Sequence, residues 1–135
     1  FYHIRKFKIF IFICIATSLG DLTGNILKEL LSDTRPCYGY SEIFMEKGLI
    51  LKECGSQTTG MPSNHAINFF LFSTLLHLTI KNKYISSIYF ISSALVALSR
   101  VFLIKHLLSQ VIIGAFIGIF LGVFFYNLFY RWIKT

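Results

Sequence analysis

Residues 107–130, LLSQVIIGAFIGIFLGVFFYNLFY, form the longest apolar stretch of the sequence. A helix needs about 20 apolar residues to cross the hydrocarbon core of a bilayer, and this stretch is long enough. Gly114, Gly118 and Gly122 recur at every fourth position, so they share one face of such a helix. A stripe of small residues lets a second helix approach closely. The stretch therefore predicts a transmembrane helix that packs tightly against a neighbour.

Three further apolar stretches precede it, at residues 9–26, 62–80 and 84–98. The chain of 135 residues is 55% hydrophobic and only 14% charged, whereas soluble domains average about a quarter charged residues. These features predict an all-α transmembrane helical bundle with about four spans, forming a single domain over residues 1–135. The chain starts with Phe1 rather than Met, so we expect a longer N-terminal part to precede it.

The charged residues divide between the two sides of this bundle. One side carries seven basic residues and no acidic residue: Arg5, Lys6, Lys8, Lys81, Lys83, Arg131 and Lys134. The other side carries six basic and all six acidic residues, so the net charge of +7 belongs to the first side. By the positive-inside rule the first side is cytoplasmic. The excess charge therefore indicates the bilayer as the partner of this chain, not nucleic acid.

The only long polar segment, residues 32–61, contains Cys37 and Cys54. If this segment is extracytoplasmic, its thiols face an oxidising compartment. We therefore predict a Cys37–Cys54 disulfide, with two free thiols as the alternative. The sequence has no zinc-spaced cysteine set and no glycine-rich phosphate loop, so we expect neither a metal nor another cofactor.

Three polar clusters share the predicted extracytoplasmic side, where the first span ends, where the second begins, and between the third and fourth. Their members are Lys28, Arg35, Ser63, His65, Arg100 and His106. Arginine and lysine suit phosphoryl oxygens, and the backbone amides at a helix start also bind anions. Two histidines can divide the roles of nucleophile and of general acid and base. The alternatives are a salt-bridged rim around the bundle and, for the serine, helix capping alone.

Three motifs within these clusters resemble those of a known family. Six residues separate Lys28 from Arg35-Pro36, PSNH occupies residues 62–65, and SRVFLIKH occupies residues 99–106. They are similar to KX6RP, PSGH and SRX5HX3D of the type 2 phosphatidic acid phosphatase family. The resemblance covers residues 28–110 with the family's order and internal spacing.

The resemblance implies the core of a six-helix membrane fold that lacks an N-terminal pair of helices in this chain. It also implies metal-independent hydrolysis of a lipid phosphate ester or diphosphate, with His106 as nucleophile and His65 as general acid and base. The residues that would bind the phosphoryl group are Lys28, Arg35, Ser63, Asn64 and Arg100.

The chain departs from the family pattern at two positions. Asn64 replaces the glycine of PSGH, and Gln110 replaces the aspartate of HX3D. At a spacing of four, we expect His106 and Gln110 to be neighbours on one helix face. A glutamine carbonyl can fix the histidine tautomer, but it supplies no charge. Three interpretations stay open: a phosphatase, a lipid phosphotransferase of the same fold, and a catalytically impaired protein that binds lipid phosphates.

The leading interpretation is a lipid phosphatase of a bacterial inner membrane with its site on the periplasmic side. Substrates that suit this placement are the phosphates of lipid A, undecaprenyl diphosphate and phosphatidylglycerol phosphate. The sequence does not indicate which of these is cleaved, nor the oligomeric state.

Overall fold

Four long helices make up most of the structure. The computed structural model describes residues 2–36, 43, 46 and 59–134. The helices are α1 (Tyr2–Leu31), α2 (Asn64–Ile80), α3 (Lys83–Phe102) and α4 (Leu108–Lys134). Of the described residues 86% are helical and none lies in a strand, which confirms the all-α class. Cys37 and Cys54 lie outside the described residues, so their disulfide stays a prediction.

Each helix overlaps one of the four predicted spans, but they are not equivalent. Helices α1, α3 and α4 are long and apolar enough to cross a membrane, as in an integral membrane protein. Helix α2 has 17 residues, which corresponds to a length of about 26 Å. It packs against each of the other three helices and most extensively against α4. The shortest helix is therefore the centre of the described bundle.

The predicted glycine stripe of α4 faces α2. A β-carbon added at Gly114 would lie 2.8 Å from the carbonyl oxygen of Ser63, and one at Gly118 would overlap the carbonyl oxygen of Ile67. One at Gly122 would lie 2.8 Å from a side-chain atom of α2. The two backbones thus approach as closely as the sequence predicts, and this part of the prediction is confirmed.

Several small polar side chains lie inside the bundle, and many large apolar ones are exposed on its outside. Ser73 of α2 and Ser93 of α3 are buried and hydrogen bond at 2.8 Å. On α4, Phe116 and Phe120 are 70% and 68% exposed. This distribution is unfavourable in water but suits a lipid environment, where helices associate through small residues and interhelical hydrogen bonds.

The helix order brings the two predicted sides to opposite ends of the bundle. At one end lie the first turns of α1, the last turn of α4 and the two residues Lys81 and Asn82, which join α2 to α3. This end carries all seven basic residues predicted to be cytoplasmic. At the other end, α1 finishes, α2 begins and residues 103–107 join α3 to α4. The three motifs therefore meet at this second end.

Candidate active site

The first two motifs are joined by backbone pairing. Beyond α1, Thr34 forms an antiparallel bridge with Thr59, just before α2. The amide of Gly60 donates to the carbonyl of Asp33 at 2.6 Å, and Nε of Arg35 donates to the carbonyl of Thr59 at 3.3 Å. This pairing brings Arg35 of the first motif beside the start of the second motif.

Ser63 and His65 take different positions at the start of α2. Ser63 is the N-cap, and its hydroxyl accepts a hydrogen bond from the amide of Ala66 at 3.5 Å. Its side chain is completely buried, whereas His65 in the first turn is exposed. Of the two roles considered for Ser63, capping is the one that the structure shows.

The connection between α3 and α4 turns His106 towards the second motif. The amides of Lys105 and His106 both donate to the carbonyl of Arg100, at 3.1 and 3.2 Å. The imidazole of His106 is 2% exposed, and its Nδ1 lies 2.8 Å from the carbonyl oxygen of Gly60. Because a carbonyl can only accept, Nδ1 carries the proton, and in the neutral ring Nε2 carries the lone pair.

Burial lowers the pKa of His106 from 6.5 to about 4, and the positive charges of Arg35 and Lys28 act in the same direction. Hydrogen bonds with the Gly60 carbonyl and, to a smaller extent, the Gln110 side chain act in the opposite direction. His106 is therefore neutral at pH 7, with an unprotonated Nε2.

The predicted cationic groups converge on the same place. Lys28 lies in the last turn of α1 and is only 4% exposed. Nε of Arg100 is buried and has no hydrogen-bond partner within the described part of the chain. The positive charges of Arg100, Lys28 and Arg35 all lie close enough to the His65 imidazole to interact with it electrostatically. The charges of Arg35 and Lys28 also interact electrostatically with His106. Because three cationic side chains surround the two histidines, this arrangement can receive a dianion.

Asn64, the first departure from the family pattern, lies against α1. Its amide nitrogen donates to Oδ1 of Asn25 at 2.7 Å and to Oδ1 of Asp21 at 3.2 Å. Asn68 also donates to Asp21, at 3.0 Å. A β-carbon at Gly24 would overlap the Asn64 side chain, so this glycine makes room for it. The asparagine thus occupies space between helices.

Sequence reasoning missed this polar network, although the sequence contained a signal for it. Asp21 and Asn25 are four residues apart on α1, and Asn64 and Asn68 are four apart on α2. At this spacing each pair lies on one helix face. Matching polar faces on two apolar helices indicate a contact between them.

The side chain of Gln110, the second departure, forms hydrogen bonds with two separate segments of the chain. His106 and Gln110 do not share a helix face as expected, because His106 precedes α4. The Gln110 side chain nevertheless lies close enough to the imidazole to act on its pKa. Oε1 of Gln110 accepts from the amide of Leu107 at 3.0 Å. Its Nε2 donates to Oδ2 of Asp33 at 2.7 Å and to the carbonyl of Thr34 at 3.3 Å. The bond from the Leu107 amide to the Gln110 side chain is the one that a glutamine at the third helical position makes in a capping box.

Three helices are long and apolar enough for an integral membrane protein. The basic side chains and two histidines at one end of the bundle have the chemistry to bind an anion. The family model described as the PAP2 superfamily matches residues 9–134. The chain belongs to this superfamily, whose members are phosphatases, and the family predicted from the three motifs is confirmed. Comparisons with curated proteins and with solved structures give no match.

Metal binding finds no support among the residues that the structure describes. No group of three or more histidine, cysteine, aspartate or glutamate side chains is arranged there to hold a metal ion. The donors that do converge are cationic, and they suit an anion instead.

Proposed function

We propose that the protein hydrolyses a phosphomonoester or diphosphate of a membrane lipid through a phosphohistidine formed on His106. The observation that carries this proposal is the state of the His106 side chain. It is buried, its Nδ1 is held by the Gly60 carbonyl, and its pKa is lowered to about 4. A neutral imidazole with a free lone pair on Nε2 is a competent nucleophile at pH 7.

The cationic groups support binding of the phosphoryl group. Lys28, Arg35 and Arg100 supply three positive charges, and the buried Nε of Arg100 is a donor without a partner in the described structure. A phosphate dianion would compensate these charges and would accept hydrogen bonds in the fork geometry of the guanidinium groups. The backbone amide of Asn64, at the first position of α2, adds a further donor.

The proposed reaction has two displacements at phosphorus. First, Nε2 of His106 attacks the phosphorus atom, the bond to the lipid oxygen breaks, and protonated His65 gives its proton to that oxygen. Then neutral His65 removes a proton from water, and the water oxygen attacks phosphorus. The P–N bond breaks, so inorganic phosphate leaves and His106 regains its lone pair. A bound dianion offsets the cations around His65, which favours the protonated form needed in the first step.

The charge distribution supports a site on the extracytoplasmic face. The seven basic residues without acids lie at the opposite end of the bundle from His65 and His106. A lipid of the outer leaflet would then present its headgroup to the site while its chains stay in the bilayer. The phosphates of lipid A, undecaprenyl diphosphate and phosphatidylglycerol phosphate in a bacterial inner membrane fit this placement.

The test is phosphate release by the purified chain from a panel of these lipids in the presence of a chelator. We expect His106→Ala to lower turnover by roughly 10³-fold or more, since it removes the nucleophile. The matched control is His3→Ala, because His3 is exposed on the first turn of α1 at the other end. Turnover that survives His106→Ala, or that requires added magnesium, contradicts the proposal. Labelled phosphate that appears on an added acceptor lipid would instead identify a phosphotransferase.

A further inference from the structure

We propose that Asp33 and Gln110 form a matched positioning pair that holds the Gly60 carbonyl against Nδ1 of His106. This inference rests on the proposed function, in which His106 is the nucleophile. Asp33 lies inside the first motif, at one of the six positions that KX6RP leaves open. The family pattern gives it no role, and sequence reasoning did not select it.

The hydrogen bonds of Gln110 require an amide at this position. Its Oε1 accepts from the amide of Leu107, while its Nε2 donates to the carboxylate of Asp33 and to the carbonyl of Thr34. An ionised aspartate or glutamate has no proton to donate, so it would meet two acceptors. The glutamine is completely buried, which makes an unsatisfied partner costly. Gln110 is therefore the type of residue that Asp33 needs opposite it.

The pair reaches His106 through Gly60. The carbonyl of Asp33 accepts the Gly60 amide at 2.6 Å, and the carbonyl of Gly60 accepts Nδ1 of His106 at 2.8 Å. Gly60 also packs directly on the glutamine, because an added β-carbon would lie 2.8 Å from Oε1 of Gln110. Asp33 and Gln110 thus fix Gly60 from two directions, and Gly60 fixes the tautomer of His106.

This arrangement accounts for the glutamine at position 110, where the family pattern has an aspartate. Here one carboxylate is present as well, but it belongs to Asp33 and lies on the other side of the hydrogen bond. Carboxylates on both sides would repel each other. The glutamine and Asp33 therefore belong together, and a carboxylate in place of the glutamine alone breaks the pair.

An isosteric exchange of the two side chains tests the pair. Gln110→Glu faces two carboxylates towards each other, and we expect kcat to fall on the order of 10- to 100-fold with little change in KM. Asp33→Asn costs only a few-fold, because the asparagine oxygen can still accept from Gln110. The double variant D33N/Q110E restores a donor–acceptor bond between residues 33 and 110 and leaves only the Thr34 carbonyl without its donor. We therefore expect kcat to recover most of the loss seen in Gln110→Glu. Glu29→Gln, which removes an exposed carboxylate from α1, is the control and should leave kcat unchanged.

A second measurement follows His106 without turnover. In protein labelled with ¹⁵N-histidine at pH 7, the original chain should show a neutral His106 protonated on Nδ1, with the signal assigned by its loss in His106→Ala. Gln110→Glu should lose this signature and D33N/Q110E should regain it. An unchanged signature and kcat in Gln110→Glu, or a double variant no better than Gln110→Glu, would overturn the pair. If the signatures behave as expected but no lipid phosphate is cleaved, the proposed function fails and the pair stands.

Discussion

His106 differs from an exposed histidine because it is neutral throughout the physiological pH range. It is 2% exposed, and burial together with Arg35 and Lys28 lowers its pKa to about 4. The proposed attack needs an unprotonated Nε2. In the proposed reaction the lowered pKa would extend activity towards acid pH, because this group loses its lone pair only below about pH 4 and not below 6.5.

The corresponding prediction concerns the acid limb of the pH profile. We expect the contribution of His106 to kcat/KM to stay constant from pH 7 to pH 5 and to fall as the pH drops through about 4. The measurement is kcat/KM against pH with a diphosphate and a monoester lipid in parallel, because each substrate has its own ionisation. An acid limb centred near pH 6.5 with both lipids would contradict the assignment of His106 as a buried, neutral nucleophile.

Asn64 and Gly24 make a second prediction at the residue scale. A β-carbon at Gly24 would lie 2.9 Å from Cγ of Asn64, so we expect Gly24→Ala to lower the free energy of unfolding by about 1–3 kcal/mol. Adding Asn64→Gly removes the overlapping side chain. The double variant should therefore lose less than the sum of the two single variants in a denaturation assay. Strict additivity would show that the two residues do not compete for the same space.

At the scale of the helices, α2 and α4 depend on contact between their backbones. Gly118 lies against the carbonyl of Ile67, where any larger side chain would overlap it. Helix α2 carries His65 in its first turn, and α4 begins two residues after His106. The separation of these helices therefore also sets the separation of the two histidines.

Gly118→Leu should push α2 and α4 apart and reduce both stability and turnover. We expect the free energy of unfolding to fall by about 1–3 kcal/mol or more, with loss of phosphate release at temperatures where the variant stays folded. Phe116→Leu is the matched control, since Phe116 lies on the exposed face of the same helix. Equal effects of both variants would mean that the glycine contact has no special role.

At the scale of the whole molecule, apolar stretches and charge placement predicted most of the architecture. Residues 107–130 indicated a helix with a glycine face, and α4 has that face against α2. The central position of α2 was not predictable, because the apolar composition of residues 62–80 is equally compatible with surrounding lipid and with surrounding protein.

Motif spacing likewise selected Lys28, Arg35, His65, Arg100 and His106, which the structure brings to one end of the bundle. Motif spacing could not reveal the contacts that hold these residues in place. Thr34 pairs with Thr59, and Asp33 bonds Gln110. Such pairings depend on segments far apart in the chain, and no local pattern records them. The role of Gly60 rests on its carbonyl, which every residue type possesses.

The charge distribution makes a prediction about orientation. Arg131 and Lys134, near the C-terminal end of α4, belong to the predicted cytoplasmic group. A green fluorescent protein fused after Thr135 should therefore fluoresce in bacteria, and a β-lactamase fused there should give no ampicillin resistance. The opposite pair of results would place His65 and His106 on the cytoplasmic face and would contradict the proposed access of outer-leaflet lipids.

The glycine contact between α2 and α4 has one further consequence. Side chains that separate two helices can change rotamer, and the gap between the helices then varies with temperature and lipid. Here a main-chain atom of one helix rests on a main-chain carbonyl of the other. His65 and His106, the proposed general acid and nucleophile, are therefore spaced by the stiffest parts of the polypeptide, so changes in the surrounding lipid should leave their geometry largely unaltered.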